Sequence, residues 1–188
     1  MRVPVGISNR HIHLGQADAD KLFSKNHEFK VLKELSQPGQ FAYEEVVTLV
    51  GPKGSIAKVR VLGPCRKETQ VEVSLTDTFA LGVMAPIQIS GDLEGTPGIK
   101  VVGPAGEVEL SRGVIVAQRH LHISVADAKD RGLKNKEIIK IRVEGPRAMI
   151  FDNVSVRIDD RYVLDCHIDT DEANAAALKG GAWGEIVK

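Results

Sequence analysis

VGISNRHIHLGQADADKL, residues 5–22, returns later in the chain as VIVAQRHLHISVADAKDR, residues 114–131. Arg-His-x-His recurs whole, His11 being answered by His120 at an offset of 109, and an Ala-Asp-Ala tripeptide follows in both copies. Similarity at a fixed offset marks an internal duplication. Two further echoes extend it: VRVLGP at 59–64 with IRVEGP at 141–146, and VEVSLTDTFAL at 71–81 with VSVRIDDRYVL at 154–164, the second at an offset of 83. The chain reads as two related halves, the first carrying an insertion of about 26 residues that takes in part of EFKVLKELSQPGQFAY at 28–43.

Gly-Pro pairs at 51–52, 63–64, 103–104 and 145–146 punctuate Val-rich runs such as VVTLV, KVRVL and IKVV, a pattern of short strands ended by turns. Short helices are expected after each RHxH element. Ser124 can cap VADAKDR, and residues 17–23 take the matching place in the first copy. DEANAAALK can be capped by Asp169 or Thr170 and stopped at Gly180. The strands lie too close together for regular crossover helices. The expected fold is mainly β with short α-helices, built as two related small β-barrel domains from the duplication.

The 188 residues are enough to bury a core without disulfides or structural metal. Lys plus Arg and Asp plus Glu number 25 each, so the chain lacks the net positive field that gathers phosphates for most nucleic-acid binders, and no nucleic-acid partner is expected. Aromatic residues, at 4%, also argue against base-stacking platforms. The longest apolar run, FALGVMAPI at 79–87, is too short to span a bilayer. The N-terminal MRVPVGISNR resembles neither a secretory signal nor a transit peptide, so the expected location is the cytoplasm. Cys65 and Cys166 have no metal-ribbon or disulfide spacing and read as reduced small hydrophobes.

On a strand, the imidazoles of His11 and His13, and of His120 and His122, share one face while Ile12 and Leu121 point into the core. On a helix they would diverge by about 200°. A strand HxH is a natural two-ligand clamp for a cation, and zinc leads among those that suit imidazole. A single HxH is more often a hydrogen-bonded pair; the duplication favours metal. His27, in the polar SKNHEF, reads as a surface residue. The offset of 83 sets Glu72 against Ser155 and His167 against Met84, giving each half one potential ligand that its counterpart lacks. The economical assignment is His11, His13 and Glu72 for one site and His120, His122 and His167 for the other. Three protein ligands are typical of catalytic rather than structural zinc. Arg10 and Arg119 point away from the histidine face by parity and read as structural or ion-paired. Arg66 and Arg157 are better anion ligands, and Gln70 shares the parity of Glu72.

At SNRHIHL, AQRHLHI, GPCRKETQVEVS and DCHIDTDEANAA the sequence resembles the phosphate propanoyltransferase family, and the resemblance covers essentially the whole chain. It implies a phosphate acyltransferase that exchanges an acyl group, propanoyl or acetyl, between CoA and orthophosphate. It implies two β-barrel domains, residues 10–117 and 118–188, the second completed by strand 1–9, with a dinuclear zinc site between them. Two zinc ions per chain are implied, on the two triads above, with the CoA sulfur as a fourth ligand beside Glu72. Arg66 would contact phosphate, with Arg66 and Glu72 the catalytic pair. Gln37, Gln40, Gln70, Ser90 and Arg157 match polar positions expected around the site, and Gly6, Ile7, Ser8 and Asn174 are candidate CoA contacts. A homodimer is implied too. Some family members carry an N-terminal extension thought to direct them into bacterial microcompartments; this chain begins almost at its first motif, which suggests a free cytosolic form or a shortened sequence.

Under this reading the cations act as Lewis acids and as a template, and no Ser/His/Asp triad is needed. Cys166 should face away from His167, which disfavours an acyl-cysteine route. Two rivals are a metal-dependent thioester or phosphoester hydrolase, marked by turnover without phosphate, and a non-enzymatic binding module that chelation would unfold. One methylene separates acetyl from propanoyl, worth about 1–3 kcal/mol in a pocket, so the acyl chain is left open.

Overall fold

The computed structural model describes residues 1–187. In chain order its elements are β1 (Arg2–Ser8), β2 (His11–Gly15), α1 (Gln16–Phe23), β3 (Val31–Glu34), β4 (Phe41–Val50), β5 (Ser55–Arg66), β6 (Gln70–Glu72), α2 (Leu75–Leu81), β7 (Ile87–Gln88) and β8 (Ile99–Val102). They continue with β9 (Glu107–Leu110), β10 (Val114–Ala117), β11 (His120–Ile123), α3 (Val125–Arg131), β12 (Ile138–Val143), β13 (Met149–Ile158), β14 (Asp165–Asp169), α4 (Thr170–Ala175) and β15 (Ala182–Val187). The fold is mainly β, as expected. No helix among the described residues is long and apolar enough to cross a membrane.

The chain forms two compact units. One holds Met1–Asn9, Ser36–Pro38 and the chain from Gln118 onward; the other holds Arg10–Leu35 and Gly39–Ala117. In the first unit six strands close into a barrel in the order β1-β14-β11-β13-β12-β15. Closure depends on β1, which pairs parallel with β14 and antiparallel with β15, so that neither is left as an edge. Strict alternation fills the interior: Ile139, Ile141 and Val143 of β12 point inward while Ile138, Lys140 and Arg142 point out. They pack on Val3, Val5, Leu121, Val154, Val156 and Cys166.

The second unit departs from expectation. Its nine strands form an open sheet in the order β7-β10-β6-β2-β5-β4-β8-β9, with β3 added to β4, so the described residues form one barrel and not two. Closure requires terminal strands able to pair along their length. Here one end is β7, a two-residue strand behind Pro86, and the other is the four-residue β9. The core of this unit is instead covered by α1, whose Ala19, Leu22 and Phe23 pack with Ile12, Leu14, Val61 and Val101.

Local signals explain the helices that matter for the site. Ser124 caps α3 by accepting from Asp127 N, as its position predicts. Capping boxes start α2 at Ser74, with Asp77, and α4 at Asp169, with Glu172. The latter helix ends at Ala175, short of Gly180, because Ala177 adopts a left-handed conformation and Leu178 N donates back to Ala173 O. That turn lays Leu178 against the barrel core.

Candidate metal centres

Each histidine pair sits at the middle of a three-strand motif. β2 lies between β5, parallel, and β6, antiparallel; β11 lies between β13, parallel, and β14, antiparallel. Ile12 and Leu14 enter one core and Leu121 and Ile123 the other, leaving His11 with His13, and His120 with His122, on the opposite face. Ring centroids within the pairs are 5.0 Å and 4.6 Å apart.

The third candidate ligand occupies the same register in both motifs. His11 stands opposite Glu72, and His120 stands opposite His167. Glu72 and His167 are therefore structural counterparts, related by an offset of 95, and the pairing of Glu72 with Ser155 at offset 83 is corrected. The echo of VRVLGP in IRVEGP joins β5 to β12, yet only β5 neighbours its histidine strand, so that likeness is one of strand-and-turn pattern. The true correspondence continues through the caps: Ser74 and Asp169 each lie two residues beyond the third ligand. It extends to the arginines before each clamp. Arg10 grips Asp77 with a two-pronged ion pair, Nη2 at 2.8 Å and Nε at 2.9 Å, while Arg119 Nε meets Glu172 at 2.7 Å. Each arginine thus ties the start of its histidine strand to the helix that follows the third ligand.

In the open-sheet unit Glu72 Oε2 lies 3.4 Å from His11 Nε2, and Oε1 lies 3.9 Å from His13 Nε2. All three side chains are buried. Burial by itself raises the Glu72 carboxyl, but His11, His13 and the Ser90 hydroxyl together override it and hold the group well below the usual carboxylate range. Burial, reinforced by the charges of His11 and Arg66, pushes His13 well below the ordinary histidine value. The pair is poised as neutral imidazole and anionic carboxylate, the protonation state a cation requires of its ligands. Arg66 Nη2 donates to His13 Nε2 at 2.9 Å and Arg66 Nη1 donates to Ser90 Oγ at 3.2 Å.

In the barrel unit His120 Nδ1 donates to Gln118 O at 2.8 Å, which makes Nε2 its lone-pair nitrogen. His167 Nε2 lies 3.0 Å from Asp165 Oδ2 and 3.3 Å from Ser36 Oγ. His122 packs on the Tyr162 ring at 4.3 Å. Asp165, Ser36 and Tyr162 were not singled out from the sequence; the alternation D-C-H already places Asp165 on the face of His167.

The donor sets fit zinc. The ligand atoms of His120, His122 and His167, and those of His11, His13 and Glu72, lie within 4.8 Å of one another. Bonds of about 2.0–2.1 Å in tetrahedral array set ligand atoms roughly 3.3 Å apart, so these atoms would draw in around an ion from separations of up to 4.8 Å. His13 Nδ1 is buried and has no hydrogen-bond partner among the described residues, while its Nε2 is held by a positively charged group, as a ligand to a cation would be.

The other candidates distribute unevenly. Ser90 Oγ and Gln70 Nε2 both donate to Glu72 Oε1, at 2.9 Å and 2.6 Å. Arg157 is half-buried, opposite His122 in register, with its guanidinium 6.0 Å from the Tyr162 ring. Gly6 pairs with His167 across β1 and β14, while Ile7 and Ser8 pair with Ile168 and Asp169. Gln37 clamps the Val163 peptide, donating to its carbonyl and accepting from its N–H. Gln40 is half-buried and accepts from Leu35 N through its carbonyl, and Asn174 is exposed on α4. His27 pairs with Glu45 at 2.8 Å. Cys166 is buried in the barrel core, where burial pushes its thiol far up, the condition of an inert cysteine.

The family model for phosphate propanoyltransferase matches residues 4–179. Similar proteins include phosphate propanoyltransferases of Thermotoga maritima, 55% identical across 98% of this chain and 88% of the relative, and of Clostridioides difficile, 50% identical across 99% and 89%. That of Salmonella typhimurium is 51% identical across 93% of this chain and 83% of its own length. With its motif pairs, capping boxes and buried triads spanned by the match, the chain belongs to the phosphate propanoyltransferase family, a family of phosphate acyltransferases.

Proposed function

We propose that the chain exchanges an acyl group between CoA and orthophosphate, with one zinc ion on each triad serving the reaction. The observation that carries this reading is the open-sheet cluster, where two imidazoles and a carboxylate poised to bind a cation adjoin a guanidinium able to bind an anion. A phosphate oxygen attacks the thioester carbonyl carbon, the carbon–sulfur bond breaks, and its electron pair leaves on the CoA sulfur. When bound, zinc supplies a Lewis acid that withdraws charge from the carbonyl and stabilises the departing thiolate.

The chain's own residues do the rest. Arg66 offers phosphate a planar fork beside His13, which with His11 and Glu72 would hold the cation. Glu72, held anionic, acts as a ligand; it is too weak a base to collect a proton at neutral pH. Arg157, in register with His122, offers a second anion contact on the barrel unit. Gly6, Ile7, Ser8 and Asn174 remain proposed contacts for the CoA body, and Gln37 and Gln40 remain proposed polar positions around the site. A homodimer is part of the proposal, to be checked by sedimentation.

Thiol release from acetyl- and propanoyl-CoA, with and without phosphate, tests the reading. Release that needs phosphate and yields acyl phosphate supports it; equal release in phosphate-free buffer identifies a hydrolase instead.

A further inference from the structure

The residue two places before each third ligand differs between the halves in the same way as the ligand itself. Gln70 precedes Glu72 and stands opposite His13; Asp165 precedes His167 and stands opposite His122. Both are buried, Gln70 to 1% and Asp165 to 5% exposure. The Gln70 amide is fixed in direction, because Gly91 N donates to its Oε1 at 2.8 Å while its Nε2 donates to Glu72 Oε1 at 2.6 Å and to Ser90 Oγ at 2.8 Å. With the Ser90 hydroxyl also donating to Oε1, that oxygen receives two hydrogen bonds, and Oε2 is the one turned to His11. In the barrel unit the sense is reversed. Asp165 Oδ2 accepts from His167 Nε2 at 3.0 Å, which leaves Nδ1 as the ring nitrogen available to a cation. Gly6 keeps the seat open: a Cβ there would stand 3.0 Å from Asp165 Oδ2 and 3.3 Å from His167 Cδ2.

We propose that Gln70 and Asp165 are positioning residues matched to their ligands, a donor behind the carboxylate and an acceptor behind the imidazole, so that pair and ligand must be exchanged together. A carboxylate ligand is oriented by N–H groups, an imidazole ligand by a carboxylate on its other nitrogen, and loss of such support typically weakens metal binding by roughly 10- to 100-fold. Mismatch is worse than loss. Histidine at position 72 would set a ring N–H against the Gln70 amide N–H, and glutamate at 167 would set two carboxylates together.

This inference rests on the metal reading, and the test separates the two. Zinc per chain is counted by mass spectrometry after dialysis, and affinity is measured by competition with a chelating indicator. The wild type, Glu72→His, Gln70→Asp with Glu72→His, His167→Glu, and Asp165→Gln with His167→Glu are compared. Two ions are expected in the wild type, one in each single variant, and two again in each double variant. The milder Gln70→Leu and Asp165→Asn, which keep the ligands, are expected to weaken one site about tenfold or more and leave the other unit's site unchanged. These carry the test if a ligand swap fails to fold. A wild type without zinc overturns the metal reading and this inference with it. A two-zinc wild type in which the doubles bind no better than the singles, or in which Gln70→Leu and Asp165→Asn bind like the wild type, overturns the matching alone.

Discussion

The barrel unit and the open-sheet unit carry the same three-strand motif in different surroundings. In one, β13-β11-β14 is part of a closed ring; in the other, β5-β2-β6 lies inside a sheet with two free ends. Register, cap position and arginine–acid pair survive the change, and the identity of the third candidate ligand does not. The comparison teaches that the site is specified locally, by a histidine strand and its two neighbours, while closure of the surrounding sheet is incidental to it.

If the units are equivalent in this sense, damage to either should be comparable. Replacing His11 and His13, or His120 and His122, with alanine is expected to lower phosphate-dependent thiol release by at least about a thousandfold in both cases, the scale of a lost electrostatic stabiliser. A strong effect in one unit alone would break the symmetry. The guanidiniums sharpen the contrast next. Arg66→Lys should reduce kcat/KM for phosphate by about 10- to 100-fold, since a point charge replaces a fork, and Arg157→Lys should cost less, measured by phosphate titration.

Acid should act on the open-sheet unit of metal-free protein. His13 and Glu72 are both held below their unfolded values, so unfolding takes up protons as pH falls. The stabilisation from His13 is complete above about 6.5, its unfolded value, and that from Glu72 above about 4.5; both are lost as pH falls through the folded values. The urea midpoint of chelated protein should therefore rise between pH 5 and 7. A flat profile would contradict the protonation states assigned to this cluster.

Stability differences between the paired arginine clamps should be smaller. Asp77 is more buried than Glu172 and accepts both prongs of Arg10, so Asp77→Asn is expected to cost about 2 kcal/mol against about 1 kcal/mol for Glu172→Gln, read by urea denaturation. The smallest effect belongs to Cys166→Ser, which sits in the barrel core and should leave turnover within about twofold.

Much of the site was legible in the chain. HxH on a strand fixes the face of both imidazoles, and the Ser124 cap and the β12 alternation follow from pattern alone. The partner of each histidine was not legible in the same way. VRVLGP resembles IRVEGP because β-branched alternation before a Gly-Pro turn is common to many strands, whereas Glu72 and His167 share nothing but register. Their kinship had one visible trace, EVSLTD against HIDTDE, in which a cap and an acid follow the ligand at fixed spacing. Closure was illegible for a different reason: it depends on whether short terminal strands such as β7 find partners, a long-range matter that local composition does not encode.

The proposed function puts one cation on each unit's own triad. Anomalous diffraction at the zinc edge, from crystals of protein purified without chelator, tests it most directly. Two peaks are expected, one about 2.0–2.1 Å from the ligand atoms of His11, His13 and Glu72 and one at the same distance from those of His120, His122 and His167. A triad without a peak, or a zinc peak bound elsewhere, would contradict it.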